Sequence, residues 1–173
     1  DQRRDSLYRY LKGKGYGDEL LRDSGLFRFS ERGVSDRFFQ RVIFPILDVN
    51  MRVIGFGGRV IGEGEPKYLN SPETELFDKS RNLFGLNFAK RSRQKQMILC
   101  EGYMDVISMH QAGFSNAVAS LGTSLTERQA ALLKRYVSEL VLSYDSDNAG
   151  VKAAKRAIPI LREAGVEPKL LDL

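Results

Sequence analysis

The stretch that decides the fold of this chain reads MILCEGYMD over residues 97–105, where an apolar run passes directly into acidic residues. A second stretch, LVLSYDSDNAG at residues 140–150, has the same order. Short apolar runs bounded by turn signals are typical of buried strands. In an open α/β sheet, the carboxyl ends of parallel strands meet at one edge, where ligands bind. We therefore predict that Glu101, Asp145 and Asp147 lie at one edge of a sheet.

The C-terminal half has the alternating pattern of βαβ units. We predict helices and strands in turn over residues 86–95, 97–100, 103–112, 116–119, 126–137, 139–144, 149–164 and 167–171. This alternation favours a mostly parallel sheet. Thr126 and Gln129 fit a capping box, and Gly113 and Gly165 fit helix stops. Pro159 predicts a kink or a break because it has no N–H to donate.

The N-terminal half has a different pattern. It predicts a helix over residues 3–11, a short helix capped by Asp18, a hairpin of strands 42–47 and 52–61, and a loop over 62–85. Pro45 indicates an edge strand or a bulge. The GFGG run at 55–58 does not lead into a helix, so close backbone approach is favoured over a dinucleotide loop. The predicted class is α/β, with a mixed α+β lobe over 1–95 and an α/β lobe over 96–173.

The charge is unevenly distributed along the 173 residues. The formal net charge is +5, and residues 1–95 carry 19 Lys and Arg against 13 Asp and Glu, whereas residues 96–173 carry 8 against 9. A positive surface beside clustered carboxylates suits a polyanionic substrate. A solvated basic face without a partner is the alternative reading.

Several classes of protein are excluded by composition. One cysteine and one histidine cannot form an internal disulfide or a zinc site built from protein ligands alone, which usually takes four. We expect Cys100 to be a buried apolar residue and His110 to be structural. No apolar run approaches the roughly 20 residues of a membrane span. Because the first residue is not Met, we expect a piece of a longer protein.

Crowded carboxylates indicate a divalent cation. Two unit charges 4 Å apart repel by roughly 4 kcal/mol at an effective dielectric near 20. Mg²⁺ relieves such repulsion and prefers a few carboxylates, waters and substrate phosphates. Asp105, one helical turn after Glu101, can join the cluster. Taken singly, Glu101 is equally explained as a charge at a helix N-terminus, and Asp145 with Asp147 as an N-cap and turn.

These residues carry a family resemblance. EGYMD at 101–105 followed by DSD at 145–147 resembles the Toprim motif of primases, topoisomerases and related nucleases. A more specific series looks like the RNA polymerase domain of bacterial DNA primases of the DnaG type: RVIFPI at 41–46, VIGFGGR at 53–59, PKYLNSPET at 66–74 and AVASLGT at 117–123.

The resemblance implies a set of site residues. Glu101, Asp145 and Asp147 would hold Mg²⁺ or Mn²⁺ and act in catalysis, with Asp105 close by. A basic ridge for template and nucleotide phosphates would comprise Arg37, Arg41, Arg59, Lys67 and Lys79, with Tyr68 and Asn70 beside it.

The resemblance also implies an activity and partners. The expected reaction is DNA-directed synthesis of RNA primers from NTPs on single-stranded DNA, in the bacterial cytoplasm at the replisome. Alarmones such as ppGpp and pppGpp are expected inhibitors. We expect the family's zinc-binding domain, its helicase-interaction domain and a further acidic segment to lie outside this chain, which leaves the activity of the fragment open. The alternatives are another Toprim enzyme that cuts DNA, such as a topoisomerase or nuclease, and a non-catalytic module that binds nucleotides or DNA.

Overall fold

The computed structural model describes residues 3–122 and 124–171, and the chain divides into two compact units. The first contains residues up to Ile46 together with Val53–Asp78, and the second contains Leu47–Arg52 and the chain from Lys79 onward. This grouping places residues 79–95 with the C-terminal sheet. The predicted division of roles at residue 95 stays a prediction.

The first unit is built from two helices and two small sheets. Its elements are α1 (Ser6–Gly13), α2 (Asp18–Asp23), β1 (Phe27–Ser30), β2 (Gly33–Asp36), β3 (Arg41–Leu47), β4 (Val53–Val60) and β5 (Tyr68–Asn70). β1 and β2 pair antiparallel, and the second sheet has the order β3-β4-β5. The predicted pair of strands is confirmed, and β3, which contains Pro45, is an edge strand as expected.

Three short strands of this unit were not predicted. β1, β2 and β5 are three or four residues long, too short for a periodic pattern. Tertiary contacts hold β1 and β2: the Tyr8 ring packs edge-on against Phe27 and Phe29, and the Asp36 carboxylate accepts hydrogen bonds from the backbone N–H groups of Leu7 and Tyr8. Asp36 therefore caps α1 across 29 residues of sequence.

The glycines of β4 allow close approach, as expected from the GFGG run. A Cβ on Gly58 would lie 2.8 Å from the Phe38 ring, and one on Gly55 would lie 3.1 Å from the Phe77 ring. Because ordinary Cβ contacts are longer, larger residues at these positions would push the rings away. The glycines thus serve packing of the first unit.

The second unit is a four-stranded sheet with helices. It contains β6 (Gln96–Cys100), β7 (Ala117–Ala119), β8 (Glu139–Ser143), β9 (Glu167–Leu170), α3 (Leu86–Ala89), α4 (Tyr103–Gln111), α5 (Glu127–Lys134) and α6 (Asn148–Glu163). The strand order is β7-β6-β8-β9, and all three pairings are parallel. The predicted α/β class is therefore confirmed.

Two predictions about helices were wrong, and a third is decided only in part. Asp18 does not cap α2, whose N-cap is Gly17 without a side-chain hydrogen bond; the Asp18 carboxylate instead accepts from the Tyr8 hydroxyl and pairs with Lys12.

The helix expected over 86–95 ends at Ala89, because only its start has apolar residues to bury: Leu86 and Ala89 are in the core, whereas the following RSRQK run at 91–95 is polar. Helix α6 is not broken at Pro159, and a kink there stays a prediction. Buried Ala157 and Leu161 on either side hold it against the core.

The structure confirms the predicted helix cap and helix stops of the second unit and the predicted roles of its cysteine and histidine. Thr126 and Gln129 form the predicted capping box, and Gly113 and Gly165 adopt positive φ after α4 and α6. Cys100 is buried, and His110 shares a 2.9 Å hydrogen bond with the Ala117 carbonyl. Both residues are structural, as predicted.

Gln129 is also a buried polar junction. It is fully buried, its Nε2 donates to the carbonyls of Lys79 and Asn82 at 2.9 and 2.8 Å, and its Oε1 accepts from the Thr126 N–H at 3.0 Å. A buried polar group left without a partner costs about 1–3 kcal/mol. One side chain therefore keeps three backbone groups satisfied.

We expect Gln129→Met to lower the free energy of unfolding by about 2–4 kcal/mol, because it removes the three hydrogen bonds that the buried Gln129 side chain forms with the backbone. Chemical denaturation measures this loss. Gln111→Met, the same change at an exposed helical position, is the control and should change stability by less than about 0.5 kcal/mol. Equal effects of the two substitutions would contradict the role of Gln129.

Candidate active site

The carboxyl ends of β6 and β8 bring acidic residues to one edge of the second unit's sheet. The two strands are adjacent and parallel, with Cys100 beside Ser143 in the register. Glu101 follows β6 directly, and Asp145 follows β8 after one intervening residue. Asp105 lies in the first turn of α4, and Asp147 is the N-cap of α6. We call Glu101, Asp105, Asp145 and Asp147 the carboxylate edge.

The charges of the carboxylate edge affect one another. The pKa of Glu101 is raised above its ordinary value of 4.5, first because the carboxyl is partly desolvated and then because Asp145, Asp147 and Asp105 are negatively charged. A hydrogen bond with the Asp145 backbone acts in the opposite direction. Within residues 3–122 and 124–171, no member of the edge forms a salt bridge. No cation of these residues therefore neutralises the carboxylate edge by an ion pair.

Two of the four carboxylates also cap helices. Asp105 Oδ2 accepts a hydrogen bond from the Gly102 N–H at 2.9 Å. Asp147 Oδ1 accepts from the N–H groups of Ala149 and Gly150, at 2.9 and 2.7 Å. The N-cap reading of Asp147 is thus confirmed. Helix N-termini favour negative charge, so these contacts also fix two charges at the edge.

The edge has the donor chemistry of a magnesium or manganese site but not a closed cage. In the described part of the chain, no group of three or more His, Cys, Asp or Glu residues is arranged to hold a metal ion. Mg²⁺ keeps several waters and usually takes one or two carboxylates together with substrate phosphates. The residues therefore fit a hydrated ion delivered with a phosphate ligand. Their assignment as metal ligands stays a prediction.

Two groups behind the edge stay uncharged. Burial raises the pKa of the Cys100 thiol to about 12, with a smaller contribution from Asp105. Burial, followed by the charge of Glu101, also raises the pKa of Tyr144 to about 12. Neither group is an activated nucleophile at neutral pH. The sequence analysis did not identify Tyr144 as part of the site. Its position between the strand β8 and the acidic pair Asp145 and Asp147 could have indicated it.

The predicted basic ridge is divided between the two units. In the first unit, Arg37 donates to the Asn70 carbonyl at 3.2 Å, and Arg41 Nη1 donates to the carbonyls of Gly58 and Lys67 at 3.3 and 3.4 Å. Arg37 lies in the turn before β3 and Arg41 is the first residue of β3, so neither residue is on a helix. Both side chains therefore also support the sheet.

The remaining ridge residues lie along neighbouring strands or in the second unit. Arg59 is opposite Tyr68 in the register of β4 and β5, and Lys67 precedes β5. Burial, then repulsion from Arg28, lowers the pKa of Arg37. Lys79 belongs to the second unit, where its carbonyl accepts from Gln129. A role for any of these residues in phosphate binding stays a prediction.

Two family models match the chain. The model described as DNA primase catalytic core, N-terminal domain, matches residues 1–90, and a Toprim-like model matches residues 98–173. A DNA primase of Clostridium acetobutylicum is 53% identical over 168 residues, which cover 96% of this chain and 28% of the relative. The chain thus spans little more than a quarter of that relative's length.

Solved structures of primase cores are also similar. The E. coli primase catalytic core has a TM-score of 0.89 and 41% identity, covering 98% of this chain and 56% of that one. A DnaG primase catalytic domain bound to ssDNA has a TM-score of 0.87 and 41% identity, covering 98% of this chain and 55% of that one.

None of the helices in the described part of the chain has the length and apolar character needed to cross a bilayer.

The raised pKa of Glu101 predicts a stabilising substitution. A raised pKa means that ionising Glu101 costs more in the folded chain than in the unfolded chain. Its favourable contribution is present below pH 4.5 and is lost as the pH rises through the folded-state pKa. In EDTA at pH 7.5, Glu101→Gln should raise the Tm by about 1–3 °C, and the gain should disappear near pH 4.

Differential scanning calorimetry at the two pH values measures this effect. Glu163→Gln, at an exposed position near the end of α6, controls for the loss of a negative charge elsewhere. An equal gain at pH 4 and pH 7.5, or no gain at either, would argue against charge repulsion at the edge.

Proposed function

The chain belongs to the DNA primase catalytic core family, and from that premise we propose that it is the nucleotidyl-transferase core of an enzyme that synthesises RNA primers on single-stranded DNA. One observation carries the proposal: Glu101 and Asp145 follow adjacent parallel strands at the same edge, where the charge of Asp145 helps to raise the pKa of Glu101. Such an edge is where an α/β sheet binds ligands. The matches to primase cores over both units support the same reading.

We assign the edge to a divalent cation, Mg²⁺ or Mn²⁺. When bound, the ion supplies electrostatic stabilisation of the phosphates and lowers the pKa of the primer 3′-hydroxyl. Glu101, Asp145 and Asp147 would hold it, with Asp105 close by. The helix caps on Asp105 and Asp147 restrict both side chains, which lowers the entropic cost of ordering them around an ion.

The basic ridge is assigned to the phosphates of the template and of the incoming NTP. Arg37, Arg41, Arg59 and Lys67 lie on or beside β3, β4 and β5 of the first unit, with Tyr68 and Asn70 on β5. Lys79 belongs to the second unit, and its assignment to a phosphate is a separate proposal. A ridge that contacts phosphates binds single strands without strong sequence preference. The similarity to a primase domain bound to ssDNA supports this assignment.

The family also suggests partners beyond this chain. We propose NTPs as substrates, ppGpp and pppGpp as competitors at the nucleotide site, and the replicative helicase as a partner of the larger protein. A bacterial cytoplasmic location at the replisome follows from that role.

A DNA-cutting Toprim enzyme is the competing function, since the carboxylate edge alone does not distinguish polymerisation from cleavage. Incubating the chain with supercoiled plasmid and Mg²⁺ separates the two, because nicking or relaxation would favour cleavage. Primer synthesis by the longer parent protein, but not by this chain, would identify the chain as a binding module that requires further segments.

We expect Asp145→Asn to weaken Mn²⁺ binding more than about 10-fold, because it removes one charge while keeping the size of the side chain. Electron paramagnetic resonance of free Mn²⁺, with and without an NTP, measures the affinity. Asn148→Asp, which adds a charge one residue beyond Asp147, is the counterpart that should not weaken binding. An unchanged affinity in Asp145→Asn would remove Asp145 from the metal site.

We expect Lys67→Ala to weaken binding of single-stranded DNA and to make the slope of log K against log salt about 0.7 less steep, as loss of one phosphate contact requires. Fluorescence anisotropy over a range of salt concentrations measures both. Lys95→Ala, at another exposed lysine, should leave the slope unchanged. A large fall in Tm with no change in slope would instead make Lys67 a structural residue.

A further inference from the structure

Gly150 is a buried residue next to an exposed turn. Residues 145–149 are all exposed, whereas Gly150 is buried. A Cβ at this position would lie 2.0 Å from the carbonyl oxygen of Asp145, 2.9 Å from its carbonyl carbon and 3.0 Å from its nitrogen. Contacts below 3.0 Å essentially never occur for a Cβ. Glycine is therefore the residue that fits here unless the backbone of Asp145 moves.

The helix side of this contact is firmly held. The Asp147 carboxylate accepts from the Gly150 N–H at 2.7 Å, and the Asp147 carbonyl accepts from the Val151 N–H at 3.0 Å. Further along α6, Ala157 and Leu161 are buried in the core. Because the middle of α6 is held in the core by Ala157 and Leu161, we expect a side chain at 150 to displace the Asp145 peptide more readily than the helix.

Glu101 lies near the Asp145 main chain, since the two residues follow adjacent parallel strands and the Asp145 backbone lowers the pKa of the Glu101 carboxyl against the repulsion of the other acids. The Asp145 main chain is thus in close contact with Gly150, at the edge of the sheet that also carries Glu101. We propose that Gly150 is a positioning residue: the absence of a side chain at 150 sets the place of the Asp145 main chain and, through it, the spacing of the Asp145 and Glu101 carboxylates. The consequence for metal binding rests on the proposed function, but the geometric claim does not.

The need for a residue without a side chain is specific to position 150. Gly102 also lies at the N-terminus of a helix beside the carboxylate edge, but a Cβ there would meet only Asp105 Oδ2, at an ordinary 3.7 Å. An alanine fits at 102 and does not fit at 150. The inference therefore comes from one backbone contact and not from the general frequency of glycine near helix ends.

The test compares Gly150→Ala with Ala157→Gly, which weakens the same helix away from the contact. Two quantities are measured: the ¹H–¹⁵N amide shifts of Glu101 and Asp145 without metal, and the Kd for Mn²⁺. We expect Gly150→Ala to move both amides and to weaken Mn²⁺ binding about 10-fold or more. Ala157→Gly should lower the Tm without either effect. Amides and Mn²⁺ affinity that respond alike in the two variants would overturn the proposal.

The metal assignment and the positioning role of Gly150 are tested by different results. If the unaltered chain binds no Mn²⁺, the metal assignment fails, while the amide shifts of Gly150→Ala still decide the positioning role. Where Gly150→Ala does not fold, Ser146→Gly is added to loosen the turn. Recovery of folding with the Glu101 and Asp145 amides still displaced supports the proposal, whereas recovery of both the fold and the original amide positions overturns it. Failure of the double variant to fold, while Ala157→Gly folds, makes Gly150 a general structural residue and also overturns it.

Discussion

The structure of the second unit depends on the parallel pairing of β6 with β8. That pairing places Cys100 beside Ser143 and buries Leu99 and Leu142 in one core. A slip of one residue would turn these side chains to the opposite face, so burial holds the register. The same register brings Glu101 and Asp145 to one edge, although they are 44 positions apart in the sequence. Burial of the apolar side chains therefore stabilises a strand register in which like charges lie at one edge of the sheet.

Gathering like charges costs free energy, and the local structure offsets part of that cost. The Asp145 backbone lowers the pKa of Glu101 against the repulsion, Asp105 accepts a hydrogen bond from Gly102, and Asp147 accepts from the first turn of α6. These contacts favour ionised carboxylates without neutralising them. Raised pKa values keep Cys100 and Tyr144 uncharged behind the edge. The carboxylate edge thus lies in front of two uncharged groups, which is an arrangement suited to a hydrated cation.

The polar residues of this protein have structural as well as proposed functional roles. Arg37 and Arg41 hold backbone carbonyls of the β3-β4-β5 sheet, and Asp147 caps α6. Substituting any of them tests stability and binding together. Asp145 and Lys67 are better probes of function, because neither side chain forms a hydrogen bond or an ion pair with the described part of the chain. Gly150 forms no side-chain bond of either kind. Its proposed effect comes from the absence of a Cβ, which leaves room for the Asp145 backbone.

The sequence alone determined the elements whose signals are local. Apolar runs marked β6 and β8, the Thr126–Gln129 pair marked a helix start, and the alternating pattern marked a parallel sheet. Only the tertiary structure decided the rest. β1 and β2 are too short to have a period and depend on Tyr8 and Asp36, while α6 continues through Pro159 because its neighbours are buried. The contact between Gly150 and Asp145 likewise depends on how α6 lies against the end of β8, because a spacing along the chain does not specify a distance between two backbones.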